Sequence, residues 1–125
     1  MPRFDPTPPG SGPLVRGFAG TRFLIDGAPY DAALLTPQSV LAWSPPPLAE
    51  LSLDVLEPIL ALRPRPEFLL LGLGKTLARP PRALADQLHD LGIGVEAMDS
   101  RTAARTWAVL RAEERWIAAA LMPLH

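Results

Sequence analysis

The hydrophobic pattern is densest in residues 68–122, where apolar runs and amphipathic segments alternate. Phe68-Leu69-Leu70-Leu71 is apolar without a break, the pattern of a strand covered on both faces of its sheet, and Gly72-Leu73-Gly74-Lys75 ends it. Pro80-Pro81 then open a segment in which Leu84, Leu88 and Leu91 recur at helical spacing, and Gly92 closes it. Residues 93–97 read as another short strand. Asp99 or Ser100 can cap the helix that follows, whose buried face carries Ala103, Trp107 and Leu110. Glu113-Glu114-Arg115 turns the chain, and residues 116–122 supply a last apolar strand.

Upstream the rhythm is shorter. Residues 21–25 and 30–35 flank Asp26-Gly27, a pair suited to a tight hairpin turn, and are predicted to run antiparallel. Residues 39–43 read as a third strand, stopped by Ser44 and Pro45-Pro46-Pro47, since proline cannot donate to a ladder. Over residues 51–62, Val55, Leu56, Ile59 and Leu60 predict a helix with Ser52 or Asp54 as its cap. Pro58 kinks that helix if it starts at Ser52 and is tolerated if it starts later. Strand and helix alternation of this kind predicts an α/β domain.

Composition narrows the picture. At 125 residues the chain suits one domain, predicted over residues 14–125, and residues 1–13, with five prolines and Gly10-Ser11-Gly12, are expected to be a disordered tail. Cysteine is absent and histidine occurs only at 89 and 125, which argues against thiol chemistry and against a metal site. Twelve basic and thirteen acidic residues are interspersed, so no footprint for nucleic acid or anionic membrane is visible. No apolar run approaches the roughly 20 residues of a membrane-spanning helix, and no targeting segment is seen. The expectation is a soluble, cytoplasmic protein. One lysine against eleven arginines, with abundant alanine and proline, reads as the codon usage of a GC-rich bacterial genome.

Two places could carry chemistry. A strand ending in Gly72-Leu73-Gly74 before a helix can bring backbone N–H groups to an anion, with Lys75, Arg79 and Arg82 adding charge. The loop lacks both the dinucleotide fingerprint and the phosphate-loop spacing, and a tight strand-to-helix connection needs the same glycines. Asp99, beyond a strand end, could orient a ligand or transfer a proton, but a helix starting at Ser100 needs a cap at that position. Arg101 and Arg105, one helical turn apart, form either an anion-binding or partner-facing pair or an ordinary charged face. His89 falls on the polar side of its helix. No Gly-x-Ser-x-Gly elbow is present. Trp43, Trp107 and Trp116 read as core or interface anchors.

Several blocks in order resemble a known family. They are Leu69-Leu70-Leu71-Gly72-Leu73-Gly74-Lys75, Gly92-Ile93-Gly94-Val95-Glu96-Ala97-Met98-Asp99, Ala103-Ala104-Arg105-Thr106-Trp107-Ala108-Val109-Leu110, Glu113-Glu114-Arg115 and Ala118-Ala119-Ala120-Leu121-Met122-Pro123. Together with Val40-Leu41-Ala42-Trp43 and Arg63-Pro64-Arg65-Pro66-Glu67, they are similar to the family of mitochondrial complex I assembly factor 3 and the adipogenesis-associated domain proteins. The resemblance implies a three-layer α/β sandwich with a central mixed sheet between helices, plus an N-terminal β-hairpin. It implies that most members have no established reaction and that the best understood role, in mitochondria, is helping to assemble the respiratory NADH dehydrogenase; the expectation is a non-enzymatic protein-binding domain without cofactor or catalytic residue. Its partners would be respiratory complex I subunits or other assembly factors, with no nucleic acid. The chain departs from the family at Leu73, where threonine is usual, at Ala108, where asparagine is usual, and at Glu114, where glycine is common. The alternative is a small anionic metabolite bound, or turned over, at Gly72, Gly74 and Lys75 with Asp99, Arg101 and Arg105; a further alternative is a homodimer that buries a tryptophan.

Overall fold

Phe68–Gly72, the predicted central strand, lies second from one edge of a five-stranded mixed sheet. The structure is a computed structural model and describes residues 12–76 and 78–125, so most of the predicted tail lies outside the described residues. In chain order the elements are β1 (Val15–Ala19), β2 (Arg22–Ile25), β3 (Ala28–Tyr30), β4 (Ala33–Leu35), β5 (Val40–Ala42), α1 (Glu57–Leu60), β6 (Phe68–Gly72), α2 (Arg82–Asp90), β7 (Gly94–Met98), α3 (Ser100–Ala112) and β8 (Ala118–Leu121). The large sheet has the order β5-β4-β8-β6-β7, with β8, β6 and β7 parallel and β4 antiparallel to both its neighbours.

Strand alternation sorts the core into two faces. Leu69 and Leu71 of β6, Ala118 and Ala120 of β8 and Leu34 of β4 pack with Ile59 of α1 and with Leu84 and Leu88 of α2. Leu70, Ala119, Leu121, Ala33 and Leu35 point the other way, onto Ala103, Ala104 and Trp107 of α3 and onto Phe23 and Ile25 of β2. The result is three layers with helices on both sides of the sheet. The alanines of β8 are fully buried, and the small side chain of Ala119 lets α3 lie close over the sheet. Burying each leucine of β6 contributes about 1.5–3 kcal/mol. Trp107, fully buried, donates its indole N–H to the carbonyl of Pro13 at 2.6 Å.

The expected N-terminal hairpin is a three-stranded antiparallel sheet. Asp26 and Gly27 both have positive φ, +51° and +83°, and the register pairs Ile25 with Ala28, as a two-residue mirror-image turn requires. The pairing was expected to continue to residue 35. Instead it stops at Tyr30, and after Asp31 and Ala32 the chain enters the large sheet as β4, whose three residues are buried on both faces. β1 was not anticipated; it pairs with β2 through a two-residue turn at Gly20 and Thr21. The helix expected over residues 51–62 is instead a 3-10 turn, Leu53–Leu56, followed by the single turn α1. Pro58 therefore sits in the first turn, where its missing N–H costs nothing.

Helices α2 and α3 end in the same motif. After α2, Gly92 donates to the carbonyl of His89 and Ile93 to that of Leu88; after α3, Glu114 donates to Arg111 and Arg115 to Leu110. The residue after the cap is left-handed in both, φ +81° at Gly92 and +61° at Glu114. Glycine accepts that geometry freely, whereas a residue with a Cβ is strained by about 1–2 kcal/mol. Replacing Glu114→Gly is expected to stabilise the domain by about 0.5–1 kcal/mol after the added entropy of glycine in the unfolded chain is subtracted. Urea unfolding of the two proteins checks it.

Candidate functional site

The three parallel strands end together, and one serine ties their ends. Ser100 opens α3 with no solvent exposure. Its Oγ accepts the N–H of Gly74 at 2.8 Å and donates to the carbonyl of Met122 at 2.8 Å. Its backbone N–H donates to the carbonyl of Gly74 at 2.8 Å. Leu73 donates to the carbonyl of Met98 at the end of β7, and Met122 donates to the carbonyl of Gly72. The loop after β6, the end of β7 and the exit of β8 are thereby joined around a single hydroxyl.

This geometry gives each glycine a specific cause. A Cβ on Gly72 would stand 2.8 Å from Ser100 Oγ and 2.9 Å from Ser100 Cα, so α3 could not approach so closely. Gly74 has φ +101°, a conformation that suits only glycine comfortably. The N–H groups of Leu73 and Gly74, which sequence alone offers as an anion cradle, are both spent inside the fold. Helix α2 begins only at Arg82, so its N-terminus does not follow directly on the loop.

Above the strand ends opens a cavity of about 540 Å³. Leu73 and Met122 form part of its lining, Pro45, Pro46 and Pro47 form one wall, and Lys75, Thr76 and His125 supply polar groups. Strands β4 and β5 carry the proline run to this place, because β4 pairs with β8, whose exit contributes Met122 and Pro123. Among the described residues no group of three or more His, Asp or Glu side chains gathers in a metal-binding arrangement.

The six residues singled out in the sequence fall into two groups. Gly74 and Lys75 line the cavity, whereas Gly72 is buried and does not. Asp99 precedes α3, Arg101 and Arg105 lie on it, and none of the three lines the cavity. Asp99 is the N-cap of α3: its carboxylate accepts the backbone N–H of Thr102 at 3.0 Å and the Thr102 hydroxyl at 2.6 Å. Arg101 lies over the Phe18 ring, 4.8 Å from its centre, and Arg105 is exposed. Ser100, the proline wall, Met122, Pro123 and His125 were not anticipated as site residues. The paired glycines did signal a close backbone approach, without naming what approaches.

The hydrogen bonds from Thr102, side chain first and backbone second, hold the Asp99 carboxyl below its ordinary value of 3.8. A carboxylate lowered in the folded state stabilises the fold above the unfolded pKa and loses that contribution as pH falls through the folded one. Asp99→Ala is expected to cost about 1 kcal/mol near neutral pH. The difference from the parent protein should shrink below about pH 4, as both states take up the proton. Urea unfolding at several pH values reads it.

A mixed five-stranded sheet between helices, carrying an N-terminal antiparallel sheet, defines an α/β sandwich shared with solved bacterial proteins. A crystal structure of a Bordetella parapertussis protein superposes with a TM-score of 0.81 at 29% identity, covering 90% of this chain and 97% of that one. The chain belongs to the family described as "Protein of unknown function (DUF498/DUF598)", which matches residues 15–122. An uncharacterised protein of Rhodobacter capsulatus is 33% identical over 111 residues, 88% of this chain and 84% of its own length. The zebrafish (Danio rerio) protein named NADH dehydrogenase [ubiquinone] 1 alpha subcomplex assembly factor 3 is 29% identical over 114 residues, or 90% of this chain. This chain spans 66% of that relative's length.

Proposed function

We propose that this domain is a non-enzymatic protein-binding module serving the assembly of respiratory NADH dehydrogenase, in the cytoplasm of a bacterium, and that its partners are subunits of that complex or other assembly factors. The observation that carries the reading is the similarity, over 90% of the chain, to a relative named as an assembly factor for that enzyme. The outward face of α3 is the surface we assign to the partner. Arg101, Arg105 and Val109 follow one another at helical spacing, and Val109, 58% exposed, is the most exposed large apolar side chain among the described residues. Arg101 is steadied by Phe18, so part of this face is ordered before a partner arrives. Two guanidinium groups beside an apolar side chain suit an acidic and partly apolar partner.

Affinity capture of the tagged protein from its own host, using both soluble and detergent-solubilised membrane fractions, tests the proposal. NADH dehydrogenase subunits should be enriched, and the double variant Arg105→Glu, Val109→Asp should lose them while unfolding normally. Recovery of the tagged protein alone, or capture unaffected by the double variant, contradicts the reading or its surface.

A further inference from the structure

The cavity at the strand ends has a chemistry of its own, separate from the face of α3. We propose that it binds a small apolar carboxylate, an organic acid whose hydrophobic body lies between the proline wall and Leu73 with Met122 and whose carboxylate faces Lys75.

Position, size and charge all bear on this. The cavity opens beyond the carboxyl ends of β6 and β8, adjacent parallel strands, the place where open α/β sheets hold their ligands. Its volume of about 540 Å³ is that of a small-molecule site. Leu73, Met122, Pro123 and Pro45 to Pro47 make most of the lining apolar, and none of the lining side chains is acidic. The charged side chain is Lys75, the one lysine of the chain. The ion pairs among the described residues, Arg22 with Asp31 and Arg115 with Glu67, lie elsewhere, so no carboxylate of the described residues holds the Lys75 ammonium. The side-chain charge of the lining therefore favours an anion.

The kind of anion follows from the loop. Phosphate sites at strand ends draw on several converging backbone N–H groups. Here the N–H groups of Leu73 and Gly74 are taken by Met98 and Ser100, so the loop's two inner donors cannot converge on a phosphate. One ammonium beside an open, mostly apolar cleft suits a monoanion with a hydrophobic body better than a phosphate. Prolines fix the wall before the ligand arrives, which limits the ordering cost of binding.

Two-dimensional amide NMR of the whole chain, titrated with octanoate, octanamide or inorganic phosphate, tests the proposal. Octanoate should shift the signals of Lys75, Thr76 and Met122 saturably. Octanamide should bind about threefold more weakly, the scale of one exposed charge pair, and phosphate should leave those signals in place. Lys75→Gln should weaken octanoate binding by a similar factor without changing the dispersion of the spectrum. Absence of saturable shifts up to about 10 mM, shifts confined to residues outside the cavity, equal binding of octanamide, or phosphate binding as well as octanoate would each overturn it.

Discussion

Gly72→Ala is expected to destabilise the domain by about 3 kcal/mol, enough to lower the melting temperature by roughly 10 °C. On backbone grounds alone the substitution should help slightly, since alanine has less entropy to lose on folding and the φ of Gly72 is not in the left-handed region. Sterics decide the sign. The new Cβ would meet Ser100 Oγ at 2.8 Å, Ser100 Cα at 2.9 Å and Leu121 Cδ2 at 3.1 Å. Rotating the serine hydroxyl or the leucine away relieves two of these clashes, but the one with the serine backbone persists and obliges the first turn of α3 to move. Gly17→Ala is the control: its Cβ meets nothing nearer than Leu24 Cδ1 at 4.0 Å, and its stability should change by less than about 0.5 kcal/mol. Guanidinium unfolding of both variants checks the pair; equal stability would mean that α3 does not seat against Gly72.

Ser100→Ala is expected to cost about 2–3 kcal/mol by a different route. Nothing clashes, but the Gly74 N–H loses its acceptor and the Met122 carbonyl loses a donor in a place without solvent exposure. A buried polar group left unpaired costs more than a hydrogen bond adds, so removing this one hydroxyl exceeds the worth of an average bond. The two substitutions should also be coupled. In the double variant the clash with the hydroxyl disappears while the clash with the backbone stays, so its loss should be smaller than the sum of the singles by about 0.5–1 kcal/mol. Additive losses would indicate that the Ser100 hydroxyl does not press on Gly72.

Much of this architecture was legible from local pattern. The unbroken apolar run at Phe68 to Leu71, the spacing of Leu84 and Leu88, and the cap at Asp99 correspond to β6, α2 and the start of α3. These are signals within a few residues of one another, where periodicity and capping act. β1 was missed because Val15-Arg16-Gly17-Phe18-Ala19 has a glycine in a short, partly exposed run, and its register is irregular between Val15 and Gly17. The break after Tyr30 was missed because Asp31 is a slight interruption in an apolar stretch, and its pairing with Arg22 becomes visible only when the hairpin is folded. The candidate site was legible only in part. Its glycines announced themselves, but Ser100 lies 26 residues from Gly74 and 22 from Met122. The proline wall joins them only through the strand order β5-β4-β8-β6. No local pattern encodes which strands become neighbours.

Commitment of the Leu73 and Gly74 N–H groups to the fold itself is what separates this loop from a glycine-rich anion cradle. The most direct measurement is hydrogen exchange at the Gly74 amide, with and without inorganic phosphate. Slow exchange that phosphate leaves unchanged is the expected result, because the N–H is held by the buried Ser100 hydroxyl. Exchange as fast as an exposed loop, slowed saturably by phosphate, would contradict it and make the loop an anion cradle.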